Sequence, residues 1–406
     1  MTRQFLLTIG VIMMMMVIDQ SKADNFTDLR AVSTGVNEFS ANLYKSIATN
    51  NDKNIITSPI SAAIVLSMAS FGAGGDTEKQ MRSTLHLPGD QQISKNGYQS
   101  LITTLNSVKK VNLKLANKIY TTTGFDIEPE FIKTTSVNFK SEIESIDFKN
   151  ADLASKKINE WCENNTEHRI KDIIQPDILG NAALVLINAV YFKGNWKKKF
   201  DSSETINKAF FTGDNSSIDV PMMYKSDNLN YGTLDEHDAQ FVEIDYESDN
   251  ENDGISMIII LPNTVDGLKK SGDKLNQINY QTVRDSGYRR PVELRLPKFK
   301  IESSIDLQST LMKMGMSEMF TDNANFTGIT KKVPLKISKV IQKGFIEVNE
   351  EGSEAAAATG IIMIKSYPAP PTPPIFFTID KPFIFAILHG PTNTVLFQGQ
   401  VDNPTC

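Results

Sequence analysis

The segment AALVLINAVYF (182–192) leaves few options for the fold. An apolar run of this length, rich in β-branched and aromatic residues, is typical of a β-strand that is covered on both faces. Such a strand needs neighbouring strands beside it and packed elements above and below it. The chain must therefore bury a large apolar core.

Other segments divide the chain into a helix-rich first part and a strand-rich remainder. The stretches 37–48 and 58–75 carry apolar residues at spacings of three and four, which predicts helices. Strand-like segments follow at 255–262, 292–302, 382–389 and 394–401. Helices gathered early and strands gathered late predict an α+β domain built on large sheets. Because no linker, charge block or repeat interrupts the sequence, a single domain is predicted for residues 24–406.

Residues 1–23 have the composition of a secretory signal peptide. Arg3 supplies the positive charge, an apolar core runs from Phe5 to Ile18, and small side chains before Asp24 suit cleavage. No later segment reaches the roughly 20 apolar residues of a membrane span. The mature protein is therefore expected to be secreted, extracellular and soluble.

Sequons and cysteines fit that expectation. Four N-x-S/T sequons, typical of an extracellular glycoprotein, begin at Asn25, Asn164, Asn215 and Asn325. The last one precedes Phe326 in a compact stretch, where burial would hinder modification. Cys162 and Cys406 are the only cysteines, too few for a disulfide framework, and the sequence leaves open whether they pair.

Charge and motifs exclude several functions. The formal net charge is −6 and the basic residues are scattered, which argues against a nucleic-acid partner. The sequence has no G-x-S-x-G elbow, H-E-x-x-H pair, phosphate loop or C-x-x-C. The histidines lack metal-ligand spacing and stand at His86, His168, His237 and His389. No enzymatic activity, cofactor or metal is therefore expected.

One long segment departs from the strand pattern. The prolines of SYPAPPTPPI (366–375) remove backbone donors and fix φ, so this segment is not a central strand. Residues 352–366 before it carry only Glu354 and Lys365 as charges and show no turn signal. Some two dozen residues therefore form a predicted exposed loop, and loops of this length in compact domains are usually functional or disordered.

Five motifs make the chain resemble the serpin family from about Val32 to Pro404. In the family's order they read NIITSPISAAIVLSMASFGAGGDT, LVLINAVYFKGNW, LRLPKFKIESSIDL, FIEVNEEGSEAAAATG and DKPFIFAILHGPTNTVLFQGQVDNP. The resemblance implies an α+β serpin fold of three β-sheets and about nine helices, with an exposed reactive-centre loop at about 350–375.

The resemblance also implies a metastable fold that inhibits serine proteases as a suicide substrate. The protease cuts the loop and becomes acylated, and the freed loop then inserts as a new strand into the largest sheet. Serpin loop insertion is an established case of strand addition that releases stored strain. The covalent complex traps the protease, which is the expected partner of a monomeric inhibitor. The sequence leaves open whether a polyanion activates the inhibitor.

A hinge at the start of the loop follows from the same resemblance. It comprises Glu350, Gly352, Ser353, Glu354, Ala355, Ala356, Ala357, Ala358 and Thr359. A segment that enters a closed sheet must be extended, and small side chains pass most easily between packed strands. Alternate residues of an extended strand lie on one face. On one face of this segment, small side chains come first and larger apolar ones follow: Ser353, Ala355, Ala357, Thr359, Ile361 and Met363. Gly352 supplies backbone freedom at the pivot.

Two further regions are carried over residue by residue. Ser58, Ser61, Asn188 and Gln342 match the shutter, a hydrogen-bond network beneath the central strands. Trp196, Lys298 and Glu350 match the breach, where the loop first enters, and Lys298 and Glu350 form a predicted ion pair. Gln342 stands where the family often has histidine. Glutamine still bonds but does not titrate, so a pH-sensitive shutter is not expected.

The position of the scissile bond has two readings. Counting sixteen residues from Glu350 gives Lys365-Ser366, and counting seventeen gives Ser366-Tyr367. The first is favoured, because Lys365 is the only basic residue of the loop and a trypsin-type pocket carries a carboxylate to receive it. A cut between Tyr367 and Pro368 is not expected, because proline directly after the scissile bond usually blocks hydrolysis. A trypsin-like extracellular protease is the expected target.

The rival interpretation is a serpin that does not inhibit and acts as a carrier or storage protein. Relatives of that kind tend to have bulky, charged or proline residues in the hinge. Residues 352–360 contain no proline and no bulky side chain, which favours the inhibitor.

Overall fold

A computed structural model describes most of the chain, with side chains from residue 24 onward except at residues 271 and 353. The described residues are 2–48, 54–180, 182–214, 216–250, 253–271, 278–353 and 373–405.

Nine α-helices lie within these residues. They are α1 (Thr2–Ala48), α2 (Pro59–Ser70), α3 (Gly75–Thr84), α4 (Gln91–Ser107), α5 (Pro129–Asn138), α6 (Ala151–Asn165), α7 (Gly267–Ser271), α8 (Tyr280–Ser286) and α9 (Gln308–Lys313). None of the helices in the described part of the chain combines the length and the apolar character needed to cross a bilayer.

Fifteen strands accompany the helices in the same residues. They are β1 (Ile55–Thr57), β2 (Val111–Thr122), β3 (Ile143–Ile146), β4 (Leu184–Asn195), β5 (Ile206–Phe211), β6 (Ser217–Leu234), β7 (Ala239–Asp245), β8 (Ile255–Pro262), β9 (Tyr288–Pro297), β10 (Phe299–Asp306), β11 (Ile337–Val348), β12 (Gly352–Ser353), β13 (Ile375–Thr378), β14 (Phe383–His389) and β15 (Thr394–Val401).

Helix α2 is the centre of the core. Each of its residues is buried, as expected for a helix that is apolar all round. Pro59 stands in its first turn, where a missing backbone N–H costs nothing and a fixed φ favours the helix. The helix ends at Ser70, earlier than the predicted stretch 58–75, and the next helix, α3, begins at Gly75.

Strand β4 lies inside a six-stranded sheet with the order β10-β11-β4-β2-β3, and β12 pairs with β4. Its side chains alternate between two cores. Leu186 and Val190 pack in the cluster around α2, whereas Ile187 and Tyr191 pack in the cluster around α6. Each such side chain stabilises the fold by about 1.5–3 kcal/mol. The prediction of a strand covered on both faces is correct.

The other nine strands form one hydrogen-bonded network, ordered β1-β15-β14-β8-β7-β6-β9-β13, with β5 beside β6. The partners change along β6. Residues 222–231 pair with β9, and residues 230–234 pair with β7. The network therefore contains two sheets that share β6, and with the six-stranded sheet they make the three sheets expected of the α+β serpin fold.

Distant parts of the chain share these elements. Strand β1 pairs with β15, with Ile55 opposite Gln400. Helix α1 contributes buried side chains from Leu29 onward to the same core cluster as β15. A single domain over residues 24–406 requires such contacts. The cleavage point predicted after Ala23 falls within α1, and the signal peptide stays a prediction.

Candidate functional site

The contact between β4 and β11, here called the seam, is the centre of the six-stranded sheet. The two strands pair directly and in parallel, with Asn188 opposite Gln342 and Tyr191 opposite Phe345. The sheet is therefore closed along this line in the described structure.

The chain turns back toward the seam as soon as β11 ends. Asn349 and Gly352 exchange two backbone hydrogen bonds, of 2.8 and 3.2 Å, which close a tight turn. Strand β12 then runs antiparallel to β4, with Gly352 opposite Asn195 and Ser353 opposite Gly194. The hinge residues Gly352 and Ser353 are therefore paired with β4 at the end of the seam.

Glycine is required at position 352 for two reasons. Its φ of +143° lies in a backbone region that residues other than glycine rarely adopt. A Cβ atom there would also lie only 2.0 Å from the carbonyl oxygen of Gly194. The flexible pivot predicted at Gly352 is therefore also a point of close backbone contact.

Trp196 holds the turn at the breach. Its indole stacks on Tyr246 with ring centroids 4.4 Å apart, and its Nε1 donates to the carbonyl oxygen of Asn349 at 3.0 Å. The backbone N–H groups of Trp196 and Phe200 donate to the carbonyl oxygens of Glu351 and Glu350. The segment before the loop is therefore fixed by backbone bonds as well as by the buried ring.

Glu350 is held by side chains as well. Lys298 Nζ lies 2.9 Å from Glu350 Oε2, and Thr205 Oγ1 donates to Glu350 Oε1 at 2.8 Å. Partial burial raises the pKa of the Glu350 carboxyl, but the hydrogen bonds from Lys298, from the backbone and from Thr205 outweigh burial and bring the pKa below its usual value. Next to it, Lys199 forms an ion pair with Glu351. The predicted pair of Lys298 and Glu350 therefore forms within a wider network.

A buried lysine lies behind the breach and escaped the sequence-based analysis. Lys225 is 5% exposed, donates to the carbonyl oxygen of Lys198 at 2.7 Å, and stands 4.6 Å from the ring centroid of Phe200 and 5.9 Å from that of Trp196. Burial lowers the pKa of its amine to about 8. Alternation along β6 places Lys225 on the same face as buried Met223, which is the signal that could have revealed it.

The shutter is a row of amide side chains across three strands. Gln342 Nε2 donates to Asn188 Oδ1 at 2.6 Å and to the carbonyl oxygen of Ser58 at 2.9 Å. Gln342 Oε1 accepts from Thr57 Oγ1 at 2.5 Å and from Ser58 N at 3.0 Å. One side chain thus ties β11 to β4 and to the start of α2.

Asn188 continues the row toward β2. Its Nδ2 donates to Ser61 Oγ and to Asn117 Oδ1. Ser58 Oγ donates to the carbonyl oxygen of Leu396 at 2.6 Å and so reaches β15. The shutter residues named from the sequence therefore meet in one buried network. Thr57 and Asn117 belong to it and were missed, although Asn117 interrupts a strand-like run.

Several site residues named from the sequence lie outside the described residues. They are Glu354, Ala355, Ala356, Ala357, Ala358, Thr359, Lys365, Ser366, Tyr367, Asn215 and Cys406. Cys162 is a free, buried cysteine, and burial raises the pKa of its thiol. Asn25 and Asn164 are exposed. Asn325 is partly buried, and its Oδ1 accepts bonds from the backbone and hydroxyl of Thr327.

Within the described ranges, no three His, Cys, Asp or Glu side chains are placed to hold a metal ion. What the geometry does provide is a closed sheet and a segment that has begun to pair beside its central seam. The family model described as Serpin (serine protease inhibitor) matches residues 34–404, and the chain belongs to the serpin family.

Individual relatives are similar over nearly their whole length. An antitrypsin of Bombyx mori is 36% identical over 371 residues, which are 91% of this chain and 93% of that protein. The crystal structure of Serpin48, described as a highly specific serpin of the insect Tenebrio molitor, matches with a TM-score of 0.83 at 34% identity and covers 92% of this chain and 98% of that one. Human thyroxine-binding globulin complexed with its ligand has the same TM-score at 28% identity and covers 93% and 99%.

Proposed function

We propose that the protein is a secreted inhibitor of serine proteases that acts as a suicide substrate, through cleavage of its loop, acyl-enzyme trapping and insertion of the loop into the six-stranded sheet. The observation that carries the proposal is the antiparallel pairing of β12 with β4, which gives the loop a register before any cleavage.

That register can be extended along β4. Each further loop residue moves one position back, so seven steps from Gly352 opposite Asn195 bring Thr359 opposite Asn188. Four more steps bring Met363 opposite Leu184, where β4 begins. An inserted strand of residues 352–363 would therefore match the full length of β4.

The same register explains the order of side chains in the hinge. Ala355 and Ala357 would face the core beside Phe192 and Val190, both tightly packed in the α2 cluster. Small side chains fit into such a space without displacing the side chains already packed there. The larger Ile361 and Met363 would follow beside Leu186 and Leu184.

Insertion would exchange one strand pairing for two. The parallel contact between β4 and β11 is lost, and the new strand pairs antiparallel to both. About a dozen added backbone hydrogen bonds at roughly 0.5–1.5 kcal/mol each correspond to a gain on the order of 10 kcal/mol. A gain of this size supports a trap that does not reverse.

For the target we propose a trypsin-like extracellular protease that cuts Lys365-Ser366. The basic Lys365 and the name of the Bombyx relative both support this target. The mature protein, which should begin at Asp24, is mixed with trypsin-like proteases. We expect an SDS-stable complex, a fragment that begins at Ser366 by mass spectrometry, and a higher melting temperature after loop cleavage. A fragment that begins at Tyr367 would assign the cut to Ser366-Tyr367 instead.

A carrier function is the second candidate, because thyroxine-binding globulin shares the fold closely. The hinge composition argues against it. Loop cleavage that leaves the melting temperature unchanged, with no covalent complex, would favour the carrier over the inhibitor.

A further inference from the structure

The sequon at Asn164 lies on the surface, at the end of helix α6. The side chain of Asn164 is exposed and belongs to the last turn of the helix. Its neighbours along the chain complete the helix end without it. Asn165 Nδ2 donates to the carbonyl oxygen of Trp161 at 2.8 Å. Thr166 Oγ1 donates to the carbonyl oxygen of Cys162 at 2.7 Å. A group attached to Asn164 therefore leaves these bonds of the helix end intact.

The sequon at Asn325 has different surroundings. Asn325 Oδ1 accepts hydrogen bonds from the backbone and the hydroxyl of Thr327, and the backbone N–H of Asn325 donates to Oγ1 of buried Thr77 at 3.0 Å. A Cβ atom placed on Gly74 would lie only 3.1 Å from Asn325 Nδ2. Because Nδ2 is the atom that carries an N-linked sugar, a glycan on Asn325 would press on the backbone at the start of α3.

The segment that follows α6, residues 166–175, contains neither helix nor strand. Arg169 and Lys171 are exposed, while Ile170 between them is buried. Exposed irregular segments are preferred sites of proteolytic cleavage, and a trypsin-type pocket carries a carboxylate that receives a basic side chain. The protease that attacks the loop would therefore meet two further cleavable bonds in this segment.

The end of α6 and this segment are in direct contact. The backbone N–H of His168 donates to the carbonyl oxygen of Glu163 at 2.9 Å, and Lys171 Nζ lies 3.4 Å from Glu163 Oε1. Glu163 directly precedes Asn164 in the chain. An oligosaccharide on Asn164 would therefore stand beside Lys171, and its bulk would hinder a protease that approaches the segment.

We propose that Asn164 carries an N-linked oligosaccharide, which shields residues 166–175 from trypsin-like proteases. This proposal rests on the proposed function, since it requires secretion and a trypsin-like target. A shield at this place directs the protease to the loop.

Attachment of the glycan is a group transfer in the secretory compartment. A transferase moves the oligosaccharide from a polyprenyl diphosphate carrier to Asn164 Nδ2. The bond between the sugar C1 and a phosphate oxygen breaks, a bond between C1 and Nδ2 forms, and the amide loses one proton. Because Thr166 of the sequon is buried in the folded protein, the transfer precedes folding. A chain modified at Asn325 would then have to fold around the sugar.

Peptide mapping of the protein secreted by eukaryotic cells tests the site. Enzymatic removal of N-linked glycans converts each modified asparagine into aspartate, which mass spectrometry detects. We expect this conversion at Asn164 and not at Asn325. Asn164→Gln should lower the mass of the intact protein by one glycan, whereas Asn165→Gln keeps the N-x-T pattern and should keep the glycan. An unmodified Asn164 in the secreted protein overturns the proposal.

Cleavage by a trypsin-like protease tests the shield. A fragment that begins at Ile170 or Asp172 reports a cut within the segment. With the protease in excess, we expect this fragment to be absent from the wild type and from Asn165→Gln while the loop is cut. The fragment should appear with Asn164→Gln and with wild-type protein whose glycans have been removed. Equal amounts of the fragment in all four proteins, or its absence from all four, overturn the shield.

The melting temperature separates loss of the shield from loss of the fold. Asn164→Gln should melt at the wild-type temperature, because the substituted side chain is exposed. If this variant melts at a lower temperature, the comparison of the wild type before and after removal of its glycans decides the test.

Failure of the proposed function gives a different result. A second form of the protein has residues 1–23 replaced by the signal peptide of another secreted protein. A full chain that stays inside the cell, while this form is secreted with a glycan on Asn164, overturns the predicted secretion but not the site. A loop that is cut without any covalent complex overturns the inhibitor, while the fragments from residues 166–175 still test the shield.

Discussion

The seam between β4 and β11 is held in the middle by the shutter and at one end by the breach, and the two regions use different chemistry. At the shutter, neutral amides and hydroxyls bond to one another in full burial, and Gln342 is 1% exposed. At the breach, ion pairs and backbone bonds fix a turn near the surface, and the Lys298 side chain is 40% exposed.

The difference bears on the proposed opening of the sheet. A buried polar group that loses its partner costs about 1–3 kcal/mol, whereas an exposed ion pair contributes at most about 1 kcal/mol. We therefore expect the shutter to set the cost of separating β4 from β11, and the breach to set where the loop enters. Three variants test this division.

The largest effect is expected at the shutter. Gln342→Leu keeps the volume but removes the four hydrogen bonds that Gln342 makes with Ser58, Thr57 and Asn188, so the free energy of unfolding should fall by about 3 kcal/mol. Urea unfolding measures the change. The control is Lys339→Met on the same strand, which removes an ion pair with Asp306. It should change the free energy of unfolding by less than about 0.5 kcal/mol. A loss below 1 kcal/mol for Gln342→Leu would contradict the division.

A smaller effect of opposite sign is expected behind the breach. The shift of the Lys225 pKa from 10.5 to about 8 corresponds to a penalty of about 3 kcal/mol for the buried charge at pH 7. Replacing the lysine also removes the contacts of its amine with the two rings, which offsets about 1 kcal/mol of this penalty. Lys225→Met should therefore raise the free energy of unfolding by about 2 kcal/mol at pH 7.

The pH dependence of Lys225→Met has a definite sign. Between pH 8 and 10.5 the unfolded chain binds a proton at Lys225 that the native protein has lost, so the stability of the wild type rises with pH in this window. The advantage of Lys225→Met should therefore shrink from pH 8 to 10. Exposed Lys197→Met serves as the control and should show no such trend. If Lys225→Met instead lowers the free energy of unfolding, the contacts of the charged amine stabilise the protein by more than its burial destabilises it.

The smallest effect is expected at the ion pair of the breach. Lys298→Met should lower the free energy of unfolding by about 0.5 kcal/mol at pH 7, because the lysine is well exposed to solvent. The lowered pKa of Glu350 contributes stability above its ordinary value of 4.5, and this contribution is lost as pH falls through the folded pKa. The difference from the wild type should therefore vanish in acid. Lys336→Met, which removes an exposed pair with Asp322, should have no measurable effect. If Lys298→Met lowers the free energy of unfolding as much as Gln342→Leu does, the shutter and the breach do not differ in their contribution to stability.

Sequence patterns predicted the elements better than their contacts. Strand β4 was visible in the run 182–192, because an element buried on both faces is apolar at nearly every position, and Asn188 is the exception in this run. The family resemblance grouped Trp196, Lys298 and Glu350, and in the structure Lys298 pairs with Glu350 while Trp196 bonds to the adjacent Asn349. Thr57, Asn117 and Lys225 were missed, since each depends on partners that are brought near by strand register. Thr57 and Gln342, for example, are separated by 285 residues. No local pattern encodes such a pairing.

The pairing of β1 with β15 has a consequence for how the protein is made. Ile55 has its partner only when Gln400 leaves the ribosome, 345 residues later. At about 5–20 residues per second, this wait lasts roughly 20 to 70 seconds. Between residues 348 and 375 of synthesis, the strands of the six-stranded sheet up to β11 have been made, while the other network still lacks β13, β14 and β15. Until β14 and β15 are made, β8 and β1 lack neighbours with which they pair in the fold, and unpaired strand edges of this kind favour aggregation.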